Sequence, residues 1–507
     1  MDQFKKELCK ETGINEGQCM VIQENLPELD INRPDAKPIT GTKEIPSTTI
    51  VSNLEGREED KEIKEFGEMK ETRKTEEMKE IGETEELEES EESEDYLGKC
   101  SKCYQDNTGR NWCHHCNSKQ FQNEFDKWTS GDREIDKFIQ QVQLNANKYQ
   151  GVIEWIPFGK LANVTYLAKG GFGTVYKADW LDGFIKFSDQ VVWHRNGKQS
   201  VCLKSLGNST NKNDFLQEIK NQLKFRGKNS IAIYGITKNP TENELMMVMN
   251  YAENGSLRKM LNNEFKKLTF RRKSFILLSI VRGLKNIHEM GLMHKDFHSG
   301  NIVNQNIFSC YITDFGLCKP VSEKDPEKIF GIIPYMAPET LSRGEYTQAS
   351  DIYSFGMIML EVLTSYPPYY NVKHDTNLVM DICNEHNPEI KCEIPQTLKE
   401  MMEKCWNFEP HNRPTAEKLE SQLVKFFNNS NKNDEIRKQI RAANKSNKNF
   451  IHYNPNAIHP EAIYTSRYLP FLKSKKFETH VIIILETKQW DFIIPDDIIK
   501  ENKIQEN

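Results

Sequence analysis

His294-Lys295-Asp296-Phe297-His298-Ser299-Gly300-Asn301, with Asp314-Phe315-Gly316 shortly after it, is the stretch whose reading decides the fold. An aspartate stands five positions before an asparagine, and a second aspartate follows in a mostly apolar neighbourhood. Phosphoryl transfer from a metal–nucleotide complex asks for these groups. One carboxylate takes the proton of the attacking hydroxyl, while the amide and the second carboxylate hold magnesium against the phosphates.

Composition bounds what surrounds this stretch. The chain has 507 residues, room for more than one domain. With 37% hydrophobic and 28% charged residues it is polar for a wholly packed chain, so some segments are expected to lack a core. The net charge of -7 is uneven: Glu55 to Asp95 carries 20 acidic and 7 basic residues, which leaves the remainder slightly basic. The 12 cysteines, mostly single, suit a reducing compartment. Met1 to Lys10 is charged and shows no secretory pattern, and the apolar run His480 to Leu485 is too short to span a bilayer. The expectation is a cytoplasmic protein, the nucleus also being open to it, with no membrane partner.

Residues 1–95 read as a disordered acidic region, because too little apolar surface is present to offset chain entropy. An acidic docking tail is one reading of it, and a solvated spacer is the plainer one. Residues 96–120 change in chemistry. Cys100-Ser-Lys-Cys103 and Cys113-His-His-Cys116 supply two C-x-x-C pairs separated by nine residues. Four thiolates complete a tetrahedral zinc site, and metal binding would fold a segment too small for its own core. Chance cysteines or a redox dithiol are the alternatives, and His114 and His115 are substitute ligands. The spacing with Trp112 resembles small zinc-ribbon or RanBP2-type modules. Residues 121–157 read as a helical linker. Asp132 is an N-cap, and Ile135, Phe138, Ile139, Val142 and Leu144 give a face to dock on the domain downstream.

Further along, Lys169-Gly170-Gly171-Phe172-Gly173-Thr174-Val175 follows the strand-like Val164 to Ala168. Glycines let a hairpin lie close over phosphates with its backbone N–H groups facing them. Val201-Cys-Leu-Lys204 reads as a strand, and Glu218 on a downstream helix is the carboxylate that a buried lysine needs. For Lys204 alone, a surface strand lysine is the alternative. Between the two strands, Asp179 to Ser200 reads as an aromatic-rich hairpin that packs within the domain, with turns at Asp182-Gly183 and Asn196-Gly197.

Together these segments resemble the protein kinases: the H-R-D-x-x-x-x-N loop, D-F-G, a Gly-rich loop, and the V-A-I-K strand. Met246 to Met249 with Asn250-Tyr251-Ala252 resembles the fifth strand and hinge. The resemblance implies that Asp296 is the general base and that Asn301 and Asp314 hold magnesium. It implies that Lys204, paired with Glu218, contacts the α- and β-phosphates. Gly170, Gly171, Phe172, Gly173 and Val175 would cover the nucleotide, with Met249 at the back of the pocket and Ala252 on the hinge. Gly331 to Glu339 is similar to the substrate loop and favours serine/threonine over tyrosine acceptors. Asp351 would hold the catalytic loop's backbone, and Arg413 would pair with Glu339. The motif Tyr335-Met-Ala-Pro-Glu339 and the ending Arg413-Pro-Thr415 resemble the tyrosine-kinase-like group. The lead-in from Glu154 to Tyr176 resembles an expanded set of kinases in arbuscular mycorrhizal fungi, which also carry a cysteine-pair module upstream.

Four positions depart from the family pattern. Ala168 replaces the first glycine of the loop, which implies a modest loss of nucleotide affinity. Lys295 replaces an arginine and loses its planar fork. His298 stands where serine/threonine kinases place a lysine, and Ile332 stands at a threonine position. The activation segment from Leu317 to Phe330 holds one hydroxyl, Ser322, so switching by multiple phosphorylation there is not expected.

The whole is read as an α+β chain. A bilobal protein kinase fold, with a β-rich N-lobe and an α-helical C-lobe, occupies 158–427, and a mostly disordered C-terminal tail fills 428–507. The expected function is transfer of the γ-phosphoryl of ATP to protein substrates in intracellular signalling. ATP, Mg2+ or Mn2+, and Zn2+ in the upstream module are its cofactors. A pseudokinase scaffold that binds partners without catalysis is the competing reading. Nucleic acid is disfavoured as a partner, since Lys99, Lys102, Arg110 and Lys119 make only a thin basic face. The kinase reading needs Lys204, Glu218, Asp296, Asn301 and Asp314 to converge in a cleft that protein does not fill.

Overall fold

The computed structural model describes residues 97–171, 173–187, 193–205, 211–227, 229–306, 309–323, 328–430 and 432–473. The disorder expected of residues 1–95, and of the tail beyond residue 473, falls on residues outside those described. Two helices lead into the small lobe, α1 (His114–Gln122) and α2 (Arg133–Leu144). Strands β1 (Glu154–Trp155), β2 (Leu161–Gly170), β3 (Gly173–Trp180), β4 (Gln199–Ser205), β5 (Ile233–Asn239) and β6 (Glu244–Asn250) form one sheet. Their order is β1-β5-β6-β4-β3-β2, and only β1 runs parallel to its neighbour. Glu154 lies opposite Gly235 there, and a glycine is required, because a Cβ would stand 2.0 Å from the Glu154 carbonyl oxygen.

Helix α3 (Lys212–Lys224) crosses this sheet. As the sequence predicts, Asp132 caps α2, accepting from the backbone N–H groups of Glu134 and Ile135. The apolar face of α2 (Ile135, Phe138, Ile139) packs with Phe215, Leu216 and Ile219 of α3. At the start of α3, Lys212 pairs with Asp132 at 2.9 Å and Glu134 at 2.7 Å. The upstream helix therefore grips α3 along one face and at one end. The 179–200 insertion holds a two-stranded hairpin, Ile185–Phe187 with Trp193–Arg195. Its Trp193 ring lies 4.3 Å from Phe121 of α1, and its Nε1 donates to Asn117 Oδ1 at 2.9 Å. The hairpin joins the cysteine module to the lobe, through a small core of Trp112, Phe121, Ala146 and Val152.

The large lobe contains α4 (Leu257–Glu264), α5 (Phe270–Glu289), α6 (Pro338–Arg343), α7 (Gln348–Thr364), α8 (Thr376–Cys383), α9 (Gln396–Cys405) and α10 (Ala416–Asn429). Helix α7 is its axis, buried from Ser350 to Thr364, as a helix that is apolar on all sides must be. Helix α5 begins at Phe270, where Thr269 caps it by accepting from Arg272 N. Arg413 and Glu339 form the expected pair, two bonds of 2.7 and 2.8 Å between buried side chains.

The tail departs from the sequence reading. A mostly disordered tail is expected from 428, yet α10 runs to Asn429 and residues 432–473 fold onto the large lobe. Asn433 caps α11 (Asp434–Ser446), whose Ile436 and Ile440 pack on the large-lobe core. Beyond it, Leu469 and Leu472 are buried in the same core. Ile436, Ile440 and Ala443 fall at helical spacing behind the Asn433 cap, a signal that the Asn- and Lys-rich composition of this stretch outweighed in the sequence reading. Among the described residues, no helix is long and apolar enough to cross a membrane.

Candidate active site

Helix α7 holds the catalytic loop in place. Asp351, in its first turn, accepts from the backbone N–H of His294 at 2.8 Å and of Lys295 at 3.0 Å. His288 Nε2 approaches the same carboxylate at 3.0 Å. Lys295 and Asp314 take left-handed backbone, φ 69 and 65. Non-glycine residues pay for that conformation and keep it only where their surroundings enforce it. For Asp314 the enforcement comes from Phe315, which is buried and packs on Phe225 (ring centroids 4.9 Å) and His294 (5.5 Å).

Across the cleft, Lys204 Nζ lies 2.8 Å from Glu218 and 2.9 Å from Asp314. Burial by itself would discharge Lys204, but the Asp314 and Glu218 carboxylates outweigh it and hold the amine charged, above its usual range. On the loop, Asn301 Nδ2 donates to the backbone oxygen of Asp296 at 2.9 Å and to its Oδ2 at 3.1 Å. That leaves the amide oxygen as the atom able to ligate a cation. His294 Nε2 approaches Thr313 O at 3.2 Å, and the Asn301 carbonyl accepts from Thr313 N at 3.0 Å. These bonds bring the Asp296 loop against Asp314.

His298 occupies an unexpected place. Its Nδ1 accepts from Gly300 N at 3.0 Å, so a neutral ring carries its hydrogen on Nε2. That Nε2 lies 3.4 Å from Asp296 Oδ2. Burial pushes the Asp296 carboxyl up, but His298, helped by His294 and Ser466, more than offsets this and keeps it below its ordinary value.

In the glycine hairpin, Gly170 lies opposite Gly173, and Val175 lies opposite Lys204. Ala168 pairs with Val175 just after a register shift, a strand position that alanine adopts without strain. Phe172 lies outside the described residues. Met249 is buried on β6 with Gln222 Nε2 3.5 Å from its sulfur, and the Ala252 carbonyl accepts from Gly255 N at 3.0 Å.

Two features escaped the sequence reading. Arg258 donates to Glu361 (3.0 Å), Ser299 (3.0 Å) and Tyr335 (2.6 Å), partners too far apart in the chain to signal one another. The cleft, which the kinase reading required to be free of protein, is crossed by the tail between the glycine hairpin and the Phe330-Gly331 edge, so that requirement is not met there. Arg467-Tyr468 pairs antiparallel with Phe330-Gly331, and Leu469 N donates to Ile329 O at 2.9 Å. Ser466 is buried, and a Cβ on Gly171 would stand 1.9 Å from its carbonyl oxygen. The β-forming residues of Ser466-Arg-Tyr-Leu469 were the available signal, but nothing local names the strand they join.

Upstream, the sulfurs of Cys100, Cys103, Cys113 and Cys116 all lie within 4.8 Å of one another. Cys100 and Cys116 are 3.7 Å apart, Cys103 and Cys113 3.5 Å. A Zn–S distance of about 2.3 Å sets tetrahedral S···S spacing near roughly 3.8 Å, so the cluster fits one such ion. His114 Nδ1 faces Ala146 O at 3.2 Å instead, and neither histidine joins the cluster.

Comparison with known proteins agrees with this geometry. A Dictyostelium discoideum protein named a probable serine/threonine-protein kinase is 29% identical, over 50% of this chain and 38% of its own length. Cell division control protein 7 of Schizosaccharomyces pombe is 26% identical over 66% of this chain and 32% of its own. MAP3K epsilon protein kinase 1 of Arabidopsis thaliana is 28% identical over 50% of this chain and 18% of its own. The chain thus spans less than two fifths of the length of these curated relatives. The family model described as protein tyrosine and serine/threonine kinase matches residues 161–423, a little over half of the chain and the same two lobes that enclose Lys204 and Asp296. By that match and by the geometry of its cleft, the chain belongs to the protein tyrosine and serine/threonine kinase family.

Proposed function

We propose that this chain transfers the γ-phosphoryl group of ATP to serine or threonine hydroxyls of proteins. The observation that carries the reading is the pair of linked contacts at the cleft: Lys204 between Glu218 and Asp314, and Asn301 on Asp296. Lys204, kept charged by its two carboxylates, is the cation for the α- and β-phosphates. Asp296, kept ionised inside the protein, accepts the proton of the attacking hydroxyl. Asn301 and Asp314 are the residues that would hold magnesium, which when bound neutralises charge on the phosphates. The glycines at 170, 171 and 173 let β2 and β3 lie close over them.

The preference for serine and threonine rests on the Gly331 to Glu339 loop, and the tyrosine-kinase-like placement on Tyr335 to Glu339 with Arg413 to Thr415. Likeness to the fungal set rests on the lead-in from Glu154 to Tyr176 and on the cysteine pairs. For the cysteine module we take a structural zinc, supported by four converging sulfurs. The test is incubation with labelled Mg-ATP and a generic basic protein, wild type beside Asp314→Ala, followed by phosphoamino-acid analysis. Phosphoserine or phosphothreonine is expected, with a loss of about 10²–10³-fold in the variant. Equal label in both would end the reading and leave a scaffold that binds without catalysis.

A further inference from the structure

The tail crosses the cleft as an extended strand anchored at both ends. Upstream, Ile463 N donates to His374 Nδ1 at 3.0 Å, and Tyr464 donates its hydroxyl to Pro368 O at 2.6 Å. The Tyr464 ring also lies 4.1 Å from the Arg258 guanidinium. Downstream, Arg467 and Tyr468 add a strand to the edge at Phe330-Gly331, and Leu469 and Leu472 sink into the large-lobe core. Ser466 lies between the anchors. Its Oγ is shielded from solvent and makes no hydrogen bond of regular geometry, and its carbonyl lies so close under the glycine hairpin that a Cβ on Gly171 would stand 1.9 Å from it. The neighbouring hydroxyls are disposed otherwise: Thr465 and Tyr468 are exposed, and Tyr464 is bonded to Pro368.

From this we propose that Ser466 is a phosphoacceptor of the chain's own active site. The inference rests on the kinase reading above and names a substrate for it. A strand added to a sheet edge has its register fixed by main-chain bonds. Pairing of Arg467 with Gly331 therefore sets the preceding residue in the cleft, under the glycine hairpin and beside the activation segment. Tethering replaces a bimolecular encounter by an effective concentration that a free peptide does not reach. In the step itself, Ser466 Oγ attacks the γ-phosphorus of ATP and forms the new O–P bond. The bond from that phosphorus to the β,γ-bridging oxygen breaks, ADP departs with the electron pair, and the hydroxyl proton passes to Asp296. While Ser466 is seated, it holds the place another protein's hydroxyl would take.

The test uses the full chain with Mg-ATP, phosphosite mapping by mass spectrometry, and a generic basic protein as a second acceptor. Ser466 is expected to be the first residue modified, at a rate per chain unchanged by an order-of-magnitude dilution. Ser466→Ala should lose that site and still label the added protein, and Ser466→Thr should retain modification at the position. Leu469→Asp, which unseats the strand, should lose Ser466 modification while labelling the added protein at least as fast as wild type. Labelling of the added protein with Ser466 untouched would overturn the inference and leave the kinase reading standing. A Ser466 rate that falls in proportion to dilution would likewise overturn it. No label on Ser466 or on the added protein, even in Leu469→Asp, would sink the kinase reading and this inference with it.

Discussion

Lys204 Nζ lies 2.8 Å from Glu218 Oε1, and both side chains are buried although they stand on different elements, β4 and α3. Two charges removed from water are tolerable only as partners. Taking one away strands the other, at a typical cost of about 3–5 kcal/mol. Lys204→Met should therefore lower the unfolding midpoint as well as abolish activity. Lys204→Met combined with Glu218→Gln should recover most of the lost stability and none of the activity. Denaturant unfolding of the two variants checks this, and a double variant no more stable than the single one would contradict it.

His298 bears on the ionisation of Asp296. Burial, which favours the neutral acid, is at present outweighed chiefly by this imidazole. In His298→Ala the burial effect is left with less opposition, so the Asp296 pKa should rise. The acid limb of kcat should move to higher pH, with kcat at neutral pH lower by about tenfold, a modest share of a general base's contribution. His298→Lys should restore the wild-type profile. An unmoved acid limb in the alanine variant would show that His298 acts only through its bond to Gly300.

The cysteine module makes a prediction about metal. Trp112, next in sequence to Cys113, is buried with Phe121, Ala146 and Val152, and its Nε1 donates to Ala146 O at 2.9 Å. Four-thiolate sites supply the folding energy of modules this small. Cys103→Ser, or a strong chelator, should release one zinc per chain and red-shift the tryptophan emission. Equal zinc content in wild type and variant would refute the site.

Acid should destabilise the fold through its buried histidines. Burial lowers the pKa of His294 beneath the ordinary histidine value, and His374 and His452 shift the same way. The unfolded chain, with its histidines near a pKa of about 6.5, then binds more protons than the folded one. The stabilisation these groups give is complete above that value and is lost as pH falls below it toward their folded pKa values. Thermal unfolding at about pH 7.5 and about pH 5.5, on either side of it, should give a lower midpoint in acid. An unchanged midpoint would mean that these rings are protonated in the fold.

The sequence alone determined the kinase fold that the family match finds at residues 161–423, and it named the groups of the cleft. Phosphate chemistry demands particular residue types at particular spacings, such as Asp296 five positions before Asn301, and those spacings are local. The cysteine pairs and the Asp132 cap were legible for the same reason. Tertiary structure alone decided what depends on residues distant in the chain. It put Trp193 on Phe121, Arg258 among Ser299, Tyr335 and Glu361, and Ser466 beneath Gly171. A strand's partner is chosen by the edge left open to it. Nothing in Ser466-Arg467-Tyr468-Leu469 encodes that edge, because it exists only once the activation segment has been laid down by the large lobe.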